Sequence, residues 1–484
     1  MNRRMVLNTL GHIAIALAGL MALPCVVSVI YGELKILWCF LIAIGIALIL
    51  GLTLKFTSKP GNKIIYAKEG FVIVTFAWII MSVIGALPFF LSGEIPDYID
   101  ALFEMVSGFT TTGASIIPDV ESMSRGLLFW RSFSHWIGGM GVLVFVMALL
   151  PNMPDRSIHI MRAEMPGPEV DKLLPRARDT AKILYIIYIV MTAAEIILLL
   201  AGGMPLFDSL VHSFGTAGTG GFGIKSDSIG GYSPYLQWVI GIFMLLFGVN
   251  FNLYYLLLLG KFKSILRSTE LWTYISIVLV SIAIITVNVY NMYDGFWETL
   301  RHSTFQVSTI ISTTGYSTVD YDLWPGLSKA ILLFLMIVGG CAGSTAGGIK
   351  VSRVVILIKS IIRELKRAIH PRSVNVVKLE GKKLDEQVVS GVTSYLAIYV
   401  ASVILIFITL SFEPEHVFGV ETNLSATLAC FNNIGPGLDA VGPTLNYSGY
   451  NGFSTFLLTV AMLMGRLEIF PVILGLNPFL WKKR

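Results

Sequence analysis

The chain contains 484 residues, of which 55% are hydrophobic and only 13% are charged, and its formal net charge at pH 7 is +5. Soluble domains carry about 25% charged residues, so this composition excludes a soluble globular protein and indicates an integral membrane protein. The four cysteines stand singly in or near apolar segments, without the short spacings of a metal site, which argues against a zinc centre or a disulfide framework.

The N-terminus carries a basic pair, Arg3 and Arg4, followed by a long apolar segment. A secretory signal peptide starts in a similar way, but no clear small-residue cleavage site follows and many apolar segments do, so we expect a retained first helix. A membrane-spanning helix needs about 20 apolar residues. Ten segments qualify, in the ranges 8–30, 36–55, 71–92, 127–150, 181–202, 235–260, 271–291, 328–358, 389–411 and 453–475.

Four shorter segments lie between alternate pairs of these spans. Each is too short to cross a bilayer, and each ends at a glycine-containing stretch that we call a hook. The segments are 97–109, 205–216, 295–311 and 417–432, and the hooks are TTTGAS (110–115), AGTGGF (217–222), STTGYS (312–317) and NNIGPG (432–437). We predict that each segment is a re-entrant half-helix, and that span, half-helix, hook and span form one unit used four times.

The predicted fold is therefore an all-α polytopic membrane protein with ten spans and four re-entrant half-helices. Two extra transmembrane helices precede four pseudo-symmetric helix–pore-loop–helix repeats. The predicted boundaries are 1–60 for the two-helix extension and 61–155, 156–265, 266–385 and 386–484 for the four repeats.

The second span of the third repeat is interrupted by GGCAGSTAGG, residues 339–348. A run of glycine and other small residues does not favour a helix. The run is consistent with close packing between helices through small residues. It is equally consistent with a flexible loop that lies across a pathway below the hooks.

The charges predict the orientation of the chain. The predicted loops on one side of the membrane carry 26 Lys/Arg and 11 Asp/Glu, and those on the other side carry 3 Lys/Arg and 16 Asp/Glu. Because basic loops stay in the cytoplasm, both termini are expected to be cytoplasmic and the hooks to face outward. We expect an acidic vestibule above the hooks, which would concentrate cations.

The hooks predict a cation filter. Non-helical backbone at membrane depth is tolerated only where protein or a water-filled cavity satisfies it, and rings of backbone carbonyls can replace the hydration shell of a cation. Glycine permits the left-handed dihedrals that such a turn needs, and the hook glycines are Gly113, Gly220, Gly315 and Gly435. The residues expected to bind the ion are Thr111, Thr112, Gly113, Gly218, Thr219, Gly220, Thr313, Thr314, Gly315, Asn433, Ile434 and Gly435.

This plan resembles the Trk/Ktr/HKT superfamily of potassium transporters. The features that look like the bacterial TrkH family are the initial helix pair and the stretches FGTAGTGGFG, ISTTGYST, GGCAGSTAGGIK and MGRLEIFP. The resemblance covers essentially the whole chain. The fourth hook departs from the pattern, because no threonine precedes its glycine.

The resemblance implies a potassium-translocating subunit of the bacterial inner membrane that forms a homodimer and is controlled by a cytosolic, nucleotide-binding, TrkA-like subunit. Potassium would be its ligand, with no organic cofactor on this chain and no nucleic acid as partner. Channel-like conduction is favoured, and proton- or sodium-coupled symport is the alternative.

The resemblance also implies that the interrupted span contains an intramembrane gating loop beside a constricting arginine. The gate residues would be Gly339, Gly340, Ala342, Gly343, Ser344, Thr345, Ala346, Gly347, Gly348, Lys350 and Arg466. The residues alone leave alternatives. Arg466 could form a structural ion pair, for which Glu468 is a poor partner because a spacing of two places it on another helix face. Lys350 could extend to the cytoplasmic surface.

Other polar features favour ordinary roles. Glu195 could be a proton relay, but a hydrogen-bonded structural acid is the stronger interpretation, and His135 and His302 are treated as structural. GTGGFG at 218–223 matches a dinucleotide-binding pattern, but no strand precedes it, and no catalytic cluster indicates an enzyme. The segments 151–182 and 359–388 are predicted docking surfaces for the regulatory partner or for anionic membrane lipid.

Overall fold

The computed structural model describes residues 1–58, 66–141, 177–372, 375–413 and 418–477. The regular secondary structure in these ranges is helical, except for one short hairpin formed by β1 (Lys378–Leu379) and β2 (Lys382–Lys383). Six helices in these ranges are long and apolar enough to span a membrane, and two bent helix pairs would raise the total to eight. The chain is a multi-pass helical membrane protein, but the predicted ten spans are not reached among the described residues.

The N-terminal extension is a pair of antiparallel spans. Its helices and the first helix of the first repeat are α1 (Arg3–Leu20), α2 (Ala22–Ile30), α3 (Leu34–Thr57) and α4 (Ala67–Ser92). A Cβ atom on Gly11 would lie only 2.8 Å from the carbonyl oxygen of Gly51, so α1 and α3 pack with their backbones in close approach. Both helices also pack against α4, which joins the extension to the first repeat.

The rest of the chain follows the order helix, half-helix, hook, helix four times. In the first two repeats the helices are α5 (Tyr98–Phe109), α6 (Arg125–Gly139), α7 (Ala177–Ala201), α8 (Leu206–Gly218), α9 (Pro234–Phe247), α10 (Phe251–Leu258) and α11 (Phe262–Leu266). In the last two they are α12 (Thr269–Asn288), α13 (Phe296–Ile311), α14 (Gly326–Val338), α15 (Val351–Ile369), α16 (Glu386–Leu410), α17 (Val420–Phe431), α18 (Gly452–Arg466) and α19 (Phe470–Leu476).

The half-helices α5, α8, α13 and α17 lie at the predicted positions. Their C-terminal halves are buried although they contain many serines and threonines. Polar side chains in helices can return hydrogen bonds to the preceding turn, as Thr427 does to the carbonyl oxygen of Asn423 at 2.8 Å. The protein core thus forms around the ends of the half-helices, where the hooks begin.

The second helices of the second and fourth repeats are bent, whereas we predicted continuous spans at 235–260 and 453–475. The α9–α10 pair bends by 91° and the α18–α19 pair by 113°. The first bend occurs because α9 ends at Phe247 and α10 begins at Phe251. Asn250 caps α10, since its side chain accepts a hydrogen bond from the amide of Asn252 at 2.9 Å.

The second bend is stabilised in another way. Glu468 and Ile469 both have positive φ angles, of 57° and 53°, which right-handed helices do not contain, and Pro471 starts the next helix.

The break in the third repeat is confirmed. α14 ends at Val338 and α15 begins at Val351, with residues 339–350 forming a loop between them. In the first repeat α6 ends at Gly139, and most of the second half of the predicted span 127–150 lies outside the described residues. The ends of α6 and α18 lie against the half-helices that precede them, since a Cβ on Gly138 or Gly465 would collide with the carbonyl oxygen of Phe109 or Phe431.

Candidate ion pathway

The four hooks share one backbone geometry. Each half-helix is followed by a residue other than glycine whose φ angle is 55° or 56°: Thr111, Thr219, Thr313 and Asn433. The amide of the next residue donates to the carbonyl oxygen five residues earlier, in the pairs Thr112–Ser107, Gly220–Gly215, Thr314–Thr309 and Ile434–Ala429, at 2.8 to 2.9 Å. A glycine with positive φ follows in every hook. The hooks are therefore four copies of one turn.

The second hook shows that the predicted alignment of its glycine is wrong by one residue. The glycines with positive φ are Gly113 (79°), Gly221 (72°), Gly315 (92°) and Gly435 (98°), and Gly220 is not among them. Gly220 instead occupies the position of Thr112 and Thr314. Gly218, which was predicted as an ion ligand, is the last residue of α8 and precedes the turn.

The hooks form a closed ring of backbone contacts. A Cβ atom on Gly113 would collide with the carbonyl oxygen of Gly220, one on Gly221 with that of Thr314, and one on Gly315 with that of Ile434. A Cβ on Gly435 would lie 2.7 Å from the carbonyl oxygen of Thr112, which returns to the first hook. Only glycine fits at these positions, because the next hook's backbone fills the space that a side chain would need.

The side chains around the ring differ between the four hooks. The hydroxyls of Thr110 and Thr112 are 2.7 Å apart in the first hook, and those of Ser312 and Thr314 are 2.7 Å apart in the third. The second and fourth hooks have no such pair. Asn433 in the fourth donates a hydrogen bond from Nδ2 to the hydroxyl of Thr112 at 2.9 Å, so the fourth hook is tied to the first through side chains.

A cavity lies against this ring, and we call it the filter cavity. Its wall includes the four turn glycines Gly113, Gly221, Gly315 and Gly435. Among the described residues its charged wall residues are Arg131 and Lys225, and no carboxylate lines it. The predicted acidic vestibule therefore does not include the wall of this cavity, and two carboxylates of the first predicted outer loop, Glu104 and Glu121, bind other parts of the chain.

One of these carboxylates belongs to a buried ion pair. Arg131 of α6 binds Glu104 of α5, whose second oxygen accepts a hydrogen bond from the amide of Ile116 at 2.9 Å. Arg131 also donates from Nη1 to the carbonyl oxygen of Gly223 at 2.8 Å, and its guanidinium lies 3.7 Å from the ring centroid of Phe222. The pair holds the backbone beyond the first two hooks in place.

His135 bridges the same two hooks. Its Nδ1 lies 2.7 Å from the carbonyl oxygen of Gly108, and its Nε2 lies 3.3 Å from the amide of Phe222. A carbonyl can only accept and an amide can only donate, so the imidazole is neutral with its proton on Nδ1. The expectation of a structural histidine did not include this contact with the hooks.

The loop 339–350, which we call the break loop, lies directly beside the third hook. The amide of Gly347 donates a hydrogen bond to the hydroxyl of Thr313 at 2.6 Å. The amide of Cys341 donates to the carbonyl oxygen of Gly248 at 2.9 Å, so the loop also occupies the bend between α9 and α10. Close packing between two continuous helices does not describe this segment, because its backbone bonds to neighbouring elements as a loop.

Arg466 joins the break loop to the first repeat. Its Nη1 donates to the carbonyl oxygen of Thr345 at 2.8 Å, and its Nη2 donates to the carbonyl oxygens of Gly138 and Gly139, both at 2.7 Å. Glu468 does not pair with Arg466, as we expected from their spacing. It binds Arg353 of α15 instead.

Lys350 does not extend to the surface. Its side chain is buried at the end of the break loop, and its ammonium group donates to the carbonyl oxygen of Ala346. The backbone of Lys350 has a φ angle of 81°, which is unusual for a residue other than glycine. The snorkelling alternative is therefore wrong.

A second cavity, the loop cavity, is formed where these elements meet. Its wall includes Gly139, Gly347, Lys350, Arg466 and Glu468. Of the predicted gate residues, Gly339 and Gly348 face each other at the base of the break loop, where a Cβ on Gly348 would lie 2.7 Å from the Cα of Gly339. The structure thus places the break loop and Arg466 together beside the hooks.

Two further expectations concern polar features away from the break loop. Glu195 in α7 is fully buried and its carboxylate interacts with the side chain of Thr216 in α8, so its structural role stays a prediction. The GTGGFG pattern forms the end of a helix and a hook, without the preceding strand of a dinucleotide site.

The two predicted docking segments differ in what the structure describes. Almost all of 151–182 lies outside the described residues. The segment 359–388 forms the exposed end of α15 and the β1–β2 hairpin.

Comparison with known proteins gives a consistent result. Residues 38–483 match the family described as "TrkH: Cation transport protein". The chain is 36% identical to the Trk system potassium uptake protein TrkH of Salmonella typhimurium over 490 residues, with full coverage of both chains. It is 37% identical to the Trk system potassium uptake protein TrkG of Escherichia coli, covering 95% of this chain and 94% of that protein. The crystal structure of the potassium transporter TrkH from Vibrio parahaemolyticus aligns over the full length of both chains, with a TM-score of 0.88 and 29% identity.

Proposed function

Because the chain belongs to the TrkH family of cation transport proteins, we propose that it takes up potassium across the bacterial cytoplasmic membrane through the ring of hooks. The family is one of transporters and not of enzymes. The observation that carries the proposal is the closed ring of turn glycines, each of which lies against the backbone of the next hook. A ring of backbone oxygens supplied from all sides is what a dehydrated cation needs.

The proposed ion ligands are the backbone oxygens of the three turn residues in each hook, with the second hook shifted by one residue from the sequence-based alignment. The set is Thr111, Thr112, Gly113, Thr219, Gly220, Gly221, Thr313, Thr314, Gly315, Asn433, Ile434 and Gly435. Gly218 is left out of this set because it belongs to α8.

The break loop is the proposed gate. The hydrogen bond between Gly347 and Thr313 places it against the hooks, and the bonds from Arg466 to Thr345, Gly138 and Gly139 join it to the opposite side of the loop cavity. A segment held in this way would close the pathway below the filter, and its movement would open it. Channel-like conduction fits a pathway with one such gate.

The remaining proposals concern the surroundings of the pathway. We propose both termini in the cytoplasm, ten spans with four re-entrant half-helices, and the four repeat boundaries given above. We also propose a homodimer, contact with anionic membrane lipid, and a cytosolic TrkA-like regulatory subunit that carries the nucleotide. The basic segment 359–388 is the proposed docking surface, because eight lysines and arginines lie within it.

The experiment that tests the proposal is rubidium uptake into liposomes that contain only this purified protein, with potassium, sodium or choline as competitor. We expect potassium to block uptake far better than sodium does. Equal block by the two ions would overturn potassium selectivity. Reversal potentials measured under opposed proton and sodium gradients separate conduction from coupled symport once potassium selectivity is shown, because a coupled ion shifts the reversal potential and a pore that conducts only potassium does not respond to it.

The gate is tested by deleting residues 342–347, from Ala342 to Gly347. We expect the deletion variant to transport rubidium without a regulatory subunit at a higher rate than the intact chain. An unchanged rate in a protein that elutes as a single species would overturn the gate.

A further inference from the structure

The carboxylate of Glu270, which lies outside the break loop, binds the backbone near both ends of that loop. Oε1 of Glu270 accepts a hydrogen bond from the amide of Ala342 at 2.7 Å and another from the amide of Ser352 at 3.1 Å. Ala342 lies near the start of the loop, and Ser352 lies just after its end. Glu270 is only 6% exposed, so both bonds are shielded from water. Hydrogen bonds from amides to a buried carboxylate are stronger than those between neutral groups.

The position of Glu270 in the chain shows that these bonds connect the break loop to a separate helix. It belongs to the first turn of α12, the first helix of the third repeat, and it accepts hydrogen bonds from Ala342 and Ser352. If the carboxylate moved away, the amides of Ala342 and Ser352 would lose their acceptor in a buried environment, which is costly. The break loop is therefore bound by a helix that contributes no residue to the wall of the filter cavity or the loop cavity.

The same turn of α12 is joined to the β1–β2 hairpin. The hydroxyl of Ser268, two residues before Glu270, lies 2.8 Å from Oε1 of Glu380 in the hairpin turn. Ser268 also caps α12 by accepting a hydrogen bond from the amide of Leu271 at 3.4 Å. The hairpin is bound to α15 through the ammonium group of Lys359, which donates to the carbonyl oxygen of Lys378 at 2.9 Å.

We propose that Glu270 is a positioning residue that latches the break loop in its closed position, and that the β1–β2 hairpin is the element through which the latch is released. A partner that moves the hairpin would pull on Ser268 through Glu380 and displace the start of α12, and with it the carboxylate. This inference rests on the proposed gate function of the loop.

A native cysteine reports on the latch independently of transport. Cys341 precedes Ala342 in the break loop and is fully buried. In a background in which Cys25, Cys39 and Cys430 are replaced by serine, Cys341 is the only thiol. The rate at which a membrane-permeant maleimide labels it in liposomes measures how often the loop leaves its closed position. Rubidium uptake is measured on the same preparations, and the serine background must transport as the parent does.

Three variants and one control define the expected result. Glu270→Ala removes the acceptor and should raise the labelling rate about tenfold or more, since hydrogen bonds to charged groups are among the stronger ones. Glu270→Gln keeps an acceptor oxygen without the charge and should give a smaller increase. Glu380→Ala, in the exposed hairpin, should raise the rate by about threefold through the loss of one hydrogen bond. Glu364→Ala removes an exposed carboxylate that binds Arg363, and should leave the rate unchanged.

The outcomes separate the latch from the gate. Labelling that stays at the parental rate in folded Glu270→Ala protein overturns the latch. Faster labelling with unchanged rubidium uptake supports the latch and overturns the proposed gate. Should Glu270→Ala fail to elute as a single species, Glu270→Gln and Glu380→Ala decide the matter, and parental labelling in both overturns the inference.

Discussion

The amide of Gly347 and the hydroxyl of Thr313 lie 2.6 Å apart and join the break loop to the third hook. Thr313 is also one of the four turn residues with positive φ, so a single residue contributes its backbone to the ring and its side chain to the loop. This hydrogen bond predicts that the conformations of the loop and of the ring are coupled.

Replacing Thr313 by valine should therefore weaken the closed position of the loop. The substitution keeps the shape of the side chain and removes only the hydroxyl, which leaves the buried amide of Gly347 without its acceptor at a cost of about 1–3 kcal/mol. We expect rubidium uptake without a regulatory subunit to rise about tenfold. Thr309→Val is the matched control, because the Thr309 hydroxyl is buried and has no partner among the described residues. Equal uptake in both variants would contradict the coupling.

Gly315→Ser should reduce the discrimination of potassium from sodium. The new Cβ would collide with the carbonyl oxygen of Ile434 in the fourth hook, and a φ angle of 92° disfavours any side chain. The ring must widen or distort to accept it. Competition by potassium and sodium for rubidium uptake measures the effect. Gly326→Ser is the control, since no atom lies within 4 Å of the position of its Cβ. A parental preference in Gly315→Ser would count against the ring as the filter.

Gly221→Ser tests the corrected alignment of the second hook. A Cβ on Gly221 would collide with the carbonyl oxygen of Thr314, as one on Gly315 does with Ile434. We expect the same loss of ion discrimination as in Gly315→Ser. Gly223→Ser serves for comparison, because its Cβ would make only ordinary contacts at 3.5 Å. The alignment would be refuted by normal selectivity in Gly221→Ser.

Arg466→Lys should open the pathway in part. An ammonium group cannot reproduce the fork with which the guanidinium reaches Thr345 on one side and Gly138 and Gly139 on the other. We expect partner-independent rubidium uptake to increase about fivefold to tenfold, with ion preference unchanged because the ring itself is untouched. Arg363→Lys on the exposed end of α15 is the control. A decrease in uptake would show that Arg466 assists conduction and does not restrain it.

The buried pair of Glu104 and Arg131 predicts a characteristic pattern of stability. Arg131→Met should lower stability by about 3–5 kcal/mol, because Glu104 remains buried without its partner. The double variant with Glu104→Gln should recover much of this loss, since no unpaired charge remains. The stability of the single and the double variant is measured by heating each protein and determining the fraction that still elutes as a single species. Additive losses in the double variant would mean that the two side chains act independently.

Much of this architecture could be predicted from local signals. The length of the apolar segments predicted most of the helices, and the segments that are too short to cross a bilayer and end at a hook predicted the half-helices. The interruption at 339–348 was visible because glycine and other small residues give little support to a helix. These features depend on the composition of short stretches of the chain, and that composition can be read directly from one sequence.

Features that depend on contacts between distant residues could not be predicted. The bends after Phe247 and Arg466 lie in segments whose overall hydropathy is that of a span, so apolar length did not reveal them, and their local signals are the cap at Asn250 and Pro471 near the start of α19. The hydrogen bonds of Glu270 join residues that lie 72 and 82 positions away along the chain. Two adjacent glycines made the second hook ambiguous, although Gly221–Phe222 matches Gly315–Tyr316 in sequence and could have settled the alignment.

The break loop belongs to only one of the four repeats. A channel assembled from identical subunits opens when several equivalent helices move together, and its regulator must act on each of them. Here one short segment between α14 and α15 would suffice under the proposed gate, and the other three repeats could stay rigid. Such a pore needs a single regulatory contact per chain, and its opening would show no cooperativity within the chain. Two chains that associate would then each hold an independently operated pathway.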